Sequence, residues 1–275
     1  MIFTAPIPFR EALDAHDVKS VLPTTGRTRD LQQLEPAIKR RALFSATVAL
    51  AAPLEKIRDG VGAILAGQTD QATARLAIKN LWKELGYKPD PTKMGTLQDL
   101  ASTERIDLQL ATNVATARGA GWHQQGMQPD VLDEFPAQEL YRATSPEGGA
   151  KAERNWAERW EKAGGVFFDG RMIALKTDPV WKQLGSPDLF DDGLGNEWPP
   201  FAFNSGMRVR DIVRDEAEAL GLIAPNEEQF PQPLDLEADL AAAPALRESW
   251  LRSAIEESGL GSFQNGVLVF QGGRA

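Results

Sequence analysis

Asp188, Asp191, Asp192, Asn196 and Glu197 crowd oxygen atoms into one short loop that also holds Gly193 and Gly195. Calcium takes its ligands from loops of this kind. The alternating positions of an EF-hand are missing here, so the stretch reads as a solvated acidic loop. The two histidines, His16 and His123, are far apart and have no carboxylate pattern around them. Each reads as a surface or helix-end residue. Cysteine is absent, which removes disulfides, thiol nucleophiles and the usual ligands of structural zinc. No G-x-S-x-G, P-loop or H-E-x-x-H pattern occurs. Gly60 and Gly62 lie in an apolar helical run without the third glycine of a dinucleotide loop. The expectation is a chain with no catalytic set, no metal and no cofactor.

Composition agrees with a folded protein. The chain has 275 residues, 42% hydrophobic and 25% charged, enough to bury a core without staples. Its net charge of −9 makes general nucleic-acid binding unfavourable, since phosphate neutralisation needs surplus Lys and Arg. A local contact with nucleic acid stays open. No apolar run approaches a membrane span, and the first residues, broken by Pro6 and Pro8, do not read as a signal peptide.

The elements that would position any site follow from periodicity and turn chemistry. Residues 1–35 read as an extended arm anchored by Phe3, Ile7 and Phe9, with a short helical turn around Phe9–Asp14. Apolar residues from Phe44 to Ile64 recur at helical spacing over Pro36–Leu65, with a kink expected at Pro53. Thr69 or Asp70 caps a helix ending at Gly86, with Ile78, Leu81, Trp82 and Leu85 inward. A longer helix is expected over Leu97–Gly121, a strand over Glu139–Ala143 and a helix over Ala150–Ala163 that buries Trp156 and Trp160. Val166–Leu175 places Asp169–Gly170 between two β-prone runs, the signature of a type I′ hairpin. Val209–Leu220 and Glu237–Ser258 read as helices. The tail, Ser262–Gln271, reads as a strand or small hairpin turning at Asn265–Gly266.

Between the hairpin and the Val209 segment lies a stretch rich in rigid aromatics. Asp178 precedes Pro179 and can cap the turn carrying Trp181. Pro199 and Pro200 fix their own φ angles, and Pro200 also restricts Pro199. Trp198 and Phe201 are therefore presented with little entropy left to lose. Gly206 can take a positive φ. Such a loop serves as the minor core of a domain or as a docking surface; the minor core is favoured.

The order of these segments resembles the bacteriophage Mu F-like family of minor head, or head morphogenesis, proteins. The pieces are Ala111–Thr112–Asn113 with Ala117–Arg118, then Leu140–Tyr141–Arg142, Asp178–Pro179–Val180–Trp181 and Trp198–Pro199–Pro200–Phe201. Phe203–Asn204–Ser205–Gly206–Met207–Arg208–Val209–Arg210 completes the set. The match covers about Ile106–Ile212. Many members carry Cys-Arg-Cys where this chain has Asn204–Ser205–Gly206, so no thiol or metal role carries over. The resemblance implies an α+β fold with a helical N-terminal part, a small mixed or antiparallel sheet with a hairpin in the middle, and a helical C-terminal extension. The expected domains are 1–95 (arm and helices), 96–221 (Mu F-like core) and 222–275 (helix and short strand). It implies a virion protein, present in the host cytoplasm during assembly, whose partners are the portal or major capsid protein and other virion proteins. The structural or interaction residues would be Tyr141, Arg142, Asp178, Pro179, Trp181, Trp198, Pro199, Pro200, Phe201, Phe203, Asn204, Gly206 and Arg208. Two rival readings stay open. One is an ADP-ribosyltransferase-like effector, suggested by Tyr141–Arg142 before Thr144–Ser145; no Ser-Thr-Ser strand and no Glu-x-Glu loop follow. The other is a head–tail adaptor or scaffold-like binding protein.

Overall fold

The computed structural model describes residues 8–32, 34, 36–143, 155–202, 205–232, 241–242, 249–265 and 267–271. Expectations about the first residues of the arm, Thr144–Ser145, the start of the Ala150 helix, and Phe203 and Asn204 fall outside these residues, as does most of Glu237–Glu248. The fold is α+β, with helices preceding small sheets. Its contacts divide into two compact units, Met1–Arg118 with Asp235–Ala275, and Gly119–Leu234.

In the first unit the chain begins with α1 (Arg10–Asp17), β1 (Ser20–Val21), α2 (Thr28–Gln32), α3 (Pro36–Arg41) and β2 (Ala42–Leu43). Next come α4 (Ala51–Leu65), α5 (Gln71–Glu84) and α6 (Thr103–Gly126). The arm is thus not an appendage. Ala12 on α1 and Val21 share a core with Leu54, Ile57 and Val61 of α4, Ile78 and Trp82 of α5, and Ile106 and Leu110 of α6. β1 pairs in parallel with β2, Ser20 opposite Ala42.

The continuous Pro36–Leu65 helix is corrected to α3 and α4 separated by β2 and a loop. Pro53 sits in the first turn of α4, where its missing N–H leaves no intrahelical bond unmade. Asp70 does cap α5, accepting from Thr73 N–H at 2.9 Å, and Gly86 follows the helix with φ +72°. Leu85 is exposed rather than inward; Ala74, Ile78 and Trp82 form the buried stripe. The helix expected from Leu97 starts later, at Thr103. Turns occupy the preceding residues, with Asp99 accepting from the Gly95 and Ala101 N–H groups.

The second unit holds α7 (Pro129–Glu134), β3 (Ala137–Arg142), α8 (Trp156–Lys162), β4 (Phe167–Phe168), β5 (Arg171–Leu175), α9 (Val180–Leu184), β6 (Met207–Ile212) and α10 (Arg214–Ala219). The four strands form an antiparallel sheet in the order β4-β5-β3-β6. Asp169 and Gly170 both have positive φ, at 50° and 74°, and make the type I′ turn. The helix expected over Val209–Leu220 is corrected: Met207–Ile212 is a strand paired along its length with β3, and only then does α10 begin. Pairing with β3 decides this. Arg208, Val209 and Arg210 alternate across the sheet, and Val209 is β-branched.

The chain returns to the first unit with β7 (Ala241–Ala242), α11 (Ser249–Glu257), β8 (Gly261–Gln264) and β9 (Val267–Phe270). The last two form the expected hairpin, with Asn265 at φ 52°. Leu251, Ile255, Leu268 and Phe270 share a core with Leu22, Leu31 and Ile38. The division of contacts therefore differs from the expected 1–95, 96–221 and 222–275. The first half of α6 belongs with the N-terminal helices, and the C-terminal segment closes the core that the Leu22–Ile38 stretch opens. Among the described residues no helix is long and apolar enough to cross a membrane.

Candidate functional site

The aromatic stretch folds onto one face of the sheet. Asp178 Oδ1 accepts from the Val180 N–H at 2.7 Å, which turns the chain into α9. That turn drops Trp181 beneath the sheet, where its indole Nε1 donates to the Leu175 carbonyl at 2.7 Å. Trp160 meets Trp181 edge-on at 5.3 Å between ring centres, and Phe201 stacks on Trp181 at 6.2 Å. Offset and edge-to-face rings add to the area they bury. Trp160 donates from its own indole to the Val166 carbonyl at 2.9 Å. Leu140, Ala174 and Met207 supply the sheet side of this cluster. Trp181 is 2% exposed and Phe201 0%, so their rings are spent on the interior.

The loop that carries Phe201 is held by its own backbone. Gly195 N–H donates to the Gly185 carbonyl at 2.7 Å, and Leu194 N–H to the Phe201 carbonyl at 3.0 Å. Asn196, buried, donates through Nδ2 to the Pro200 carbonyl at 3.0 Å. The Pro199–Pro200 peptide is cis. Trp198 lies apart from the Trp181 cluster. Its ring is 5.4 Å from that of His123 on α6, and its flank closes on Gly119. A Cβ on Gly119 would collide with the Pro199 carbonyl oxygen and lie 2.6 Å from Trp198 Cδ1. Burial lowers the pKa of His123; Glu197 nearby opposes the shift and Lys176 adds to it.

One residue of this face was missed by sequence reasoning. Arg159 is buried between the rings of Phe190 and Trp156, its guanidinium carbon 3.9 and 4.9 Å from their centres. Its Nε and Nη2 donate to the Leu184 carbonyl at the end of α9, and Nη1 donates to Asp192 at 2.7 Å. The signal was present. Positions 156, 159, 160 and 163 make one helical stripe, and an arginine inside a tryptophan stripe needs partners. Through Arg159 the acidic loop is tied to the aromatic cluster. Asn196 donates through its amide nitrogen to Pro200, and Asp192 accepts from Arg159. Among the described residues, no group of three or more His, Asp or Glu could hold a metal ion.

The opposite face of the sheet sets a charge clamp beside a second apolar cluster of Ala137, Ile173, Ile212, Ala217 and Ile223. Glu139, largely buried, accepts from Arg171 Nε and Nη2 at 3.1 and 2.5 Å and from Arg210 Nε at 2.9 Å. Arg171 reaches on to Glu216 of α10 at 2.6 Å. Burial alone would raise the Glu139 pKa. Hydrogen bonds and charge from the two arginines outweigh it and hold the carboxyl below its ordinary range. Tyr141 stands opposite Arg208 in the register, and the Arg210 guanidinium lies 5.7 Å from its ring centre. Arg142 and Arg208 are exposed. Glu139 was also missed: glutamate inside a strand gives no local sign of being clamped by residues 32 and 71 positions away.

The structure thus brings Trp181 and Phe201 into one aromatic cluster, leaves Asp178 and Pro179 exposed at the turn before α9 and Pro200 half-buried, and places Trp198 and Pro199 against the second half of α6. Tyr141 and Arg208 fall on the charged face, and Arg142 at the strand end. Gly206 has φ 66° where the chain enters β6, and its carbonyl accepts from Ala143 N–H at 2.9 Å. Comparison of the chain with protein-family models, with curated proteins and with solved structures returns no match.

Proposed function

We propose that the chain is a minor head protein of a tailed phage or prophage. In this reading it acts in capsid assembly near the portal, with the portal or major capsid protein as its partner. The reading rests on the resemblance of Ile106–Ile212 to the Mu F-like family. One observation supports it. Four of the segments that carry the resemblance (Leu140–Tyr141–Arg142, Asp178–Pro179–Val180–Trp181, Trp198–Pro199–Pro200–Phe201 and Met207–Arg210) lie in one unit, while Ala111–Asn113 and Ala117–Arg118 belong to the other. Leu140, Trp181, Phe201 and Met207 from these four segments meet in one buried cluster on one face of the sheet. A set of motifs retained for a shared fold would do this. Because the aromatics are spent inside, the part a partner can touch is the exposed surface of that scaffold, and the role is structural rather than chemical.

Mass spectrometry of gradient-purified particles tests the proposal. The protein is expected at low copy in proheads, in mature heads or in both. Absence from both removes the virion role.

A further inference from the structure

The Glu139 clamp occupies only the middle of its sheet face. Residues at alternate positions of a strand share a face. Tyr141 on β3 and its cross-strand partner Arg208 on β6 therefore stand next to the Glu139–Arg210 pair. At the other end of the face α10 packs down, with Ala217 against Ala137, Ile173 and Ile212. At the Tyr141 end Arg208 is exposed, and among the described residues it makes no hydrogen bond, ion pair or ring contact. Arg210 gives Nε and Nη2 to Glu139, yet its side chain is still 57% exposed. Its guanidinium lies 5.7 Å from the centre of the half-buried Tyr141 ring. The acids of this face are already engaged: Glu139 is buried and holds Arg171 and Arg210, and Glu216 holds Arg171. The groups beside Tyr141 that still face water are cations.

We propose that this end of the sheet face binds a short stretch of single-stranded nucleic acid, with Arg208 and Arg210 on neighbouring phosphates and a base stacked on Tyr141. Two residues along a strand span about 7 Å, close to the step between neighbouring phosphates of an extended single strand. The ligand needs positive charge for its backbone and a flat ring for a base, and the pair of arginines beside a tyrosine supplies both. An acidic peptide would satisfy the arginines but leave the ring unused. Every base has a π-face, so little sequence preference is expected. The net charge of −9 repels a polyanion overall, which confines the contact to this patch and makes it weak and salt-sensitive. None of these observations depends on the virion reading.

The test uses the full-length protein and a fluorescein-labelled oligothymidylate of about twelve nucleotides, followed by fluorescence anisotropy from low to rising salt. Binding is expected at low salt. Tyr141→Ala should weaken it roughly fivefold or more, whereas Tyr141→Phe, which keeps the ring, should bind as the wild type does. Arg208→Ala removes one phosphate contact and should lower the slope of log affinity against log salt by about 0.7. Arg29→Ala, at an exposed arginine of the other unit, should change neither affinity nor slope. Thermal unfolding identifies any loss that comes from instability; Arg208→Ala breaks no contact and carries the test by itself. No binding at low salt overturns the proposal, and so does an Arg208→Ala slope equal to that of the wild type. An equal loss in Arg29→Ala overturns it by placing the contact elsewhere. A poly-glutamate peptide that binds more tightly than the oligonucleotide would make the face a docking site for an acidic protein segment instead.

Discussion

The two faces of the β4-β5-β3-β6 sheet use the same strands for opposite ends. On one, Leu140, Met172 and Ala174 point into a packed set of rings around Trp181. On the other, Glu139 and Arg171, their sequence neighbours or near neighbours, build a charge clamp with Arg210 and Glu216. The aromatic face is stable because it excludes water, and its energy comes from area and shape. The other face also buries Ala137, Ile173, Ile212 and Ala217, but its charge clamp is stable only while every member is present, since a buried carboxylate without its cations is worse than none. The first should tolerate changes of pH and resist changes of volume. The clamp on the second should do the reverse, while the Ile173 and Ile212 cluster beside it should behave like the first.

The largest test of that contrast is Trp181→Ala. It opens a cavity under the sheet and leaves the Leu175 carbonyl only the Asp178 N–H as donor, and should destabilise the protein by about 3–5 kcal/mol. Urea unfolding followed by intrinsic fluorescence measures it. A variant of unchanged stability that fails to enter particles would make the ring an interface anchor instead.

Gly119→Ala tests packing by overfilling, at the Trp198 loop beside α6. The new methyl must push the Pro199 carbonyl and the Trp198 ring aside, for a loss of about 3 kcal/mol. A neutral result in thermal unfolding would mean that the Trp198 loop yields freely.

On the charged face, Glu139→Gln should cost about 2 kcal/mol at neutral pH by taking the shared anion from Arg210 and leaving Arg171 only Glu216. The pH dependence carries the sign. The Glu139 carboxyl is depressed in the folded protein, so its contribution is fully present above the unfolded carboxyl value of about 4.3 and is lost as pH falls through the folded value. The gap between wild type and Glu139→Gln should therefore be constant from about pH 6 to 8 and shrink below about pH 4. A gap that widens in acid would show that the clamp is not what the carboxylate contributes.

The smallest effect is expected at the hairpin tip. Gly170 has φ +74° with nothing within 4 Å of an added methyl, so Gly170→Ala meets no neighbour and only the backbone strain of about 1 kcal/mol remains. A much larger loss would mean that the turn sets the register of the whole sheet.

The sequence alone determined what depends on near neighbours. Asp169–Gly170 specified its turn because both residues accept positive φ. Asp70 specified a helix start because its carboxylate reaches an N–H three residues on. Asp178 before Pro179 specified the turn into α9, and the Trp156–Trp160 spacing specified a buried helical stripe. Tertiary structure decided the rest. Met207–Ile212 became a strand because β3 offered its edge, overriding a segment that reads as helical. The N-terminal stretch became core because α1 finds α4, and because Leu22 and Ile38 find Leu251 and Leu268 more than two hundred residues away. Glu139 became a clamp through arginines on two other strands. Each of these depends on which distant residue arrives opposite, and a pairing of that kind leaves no trace in local spacing.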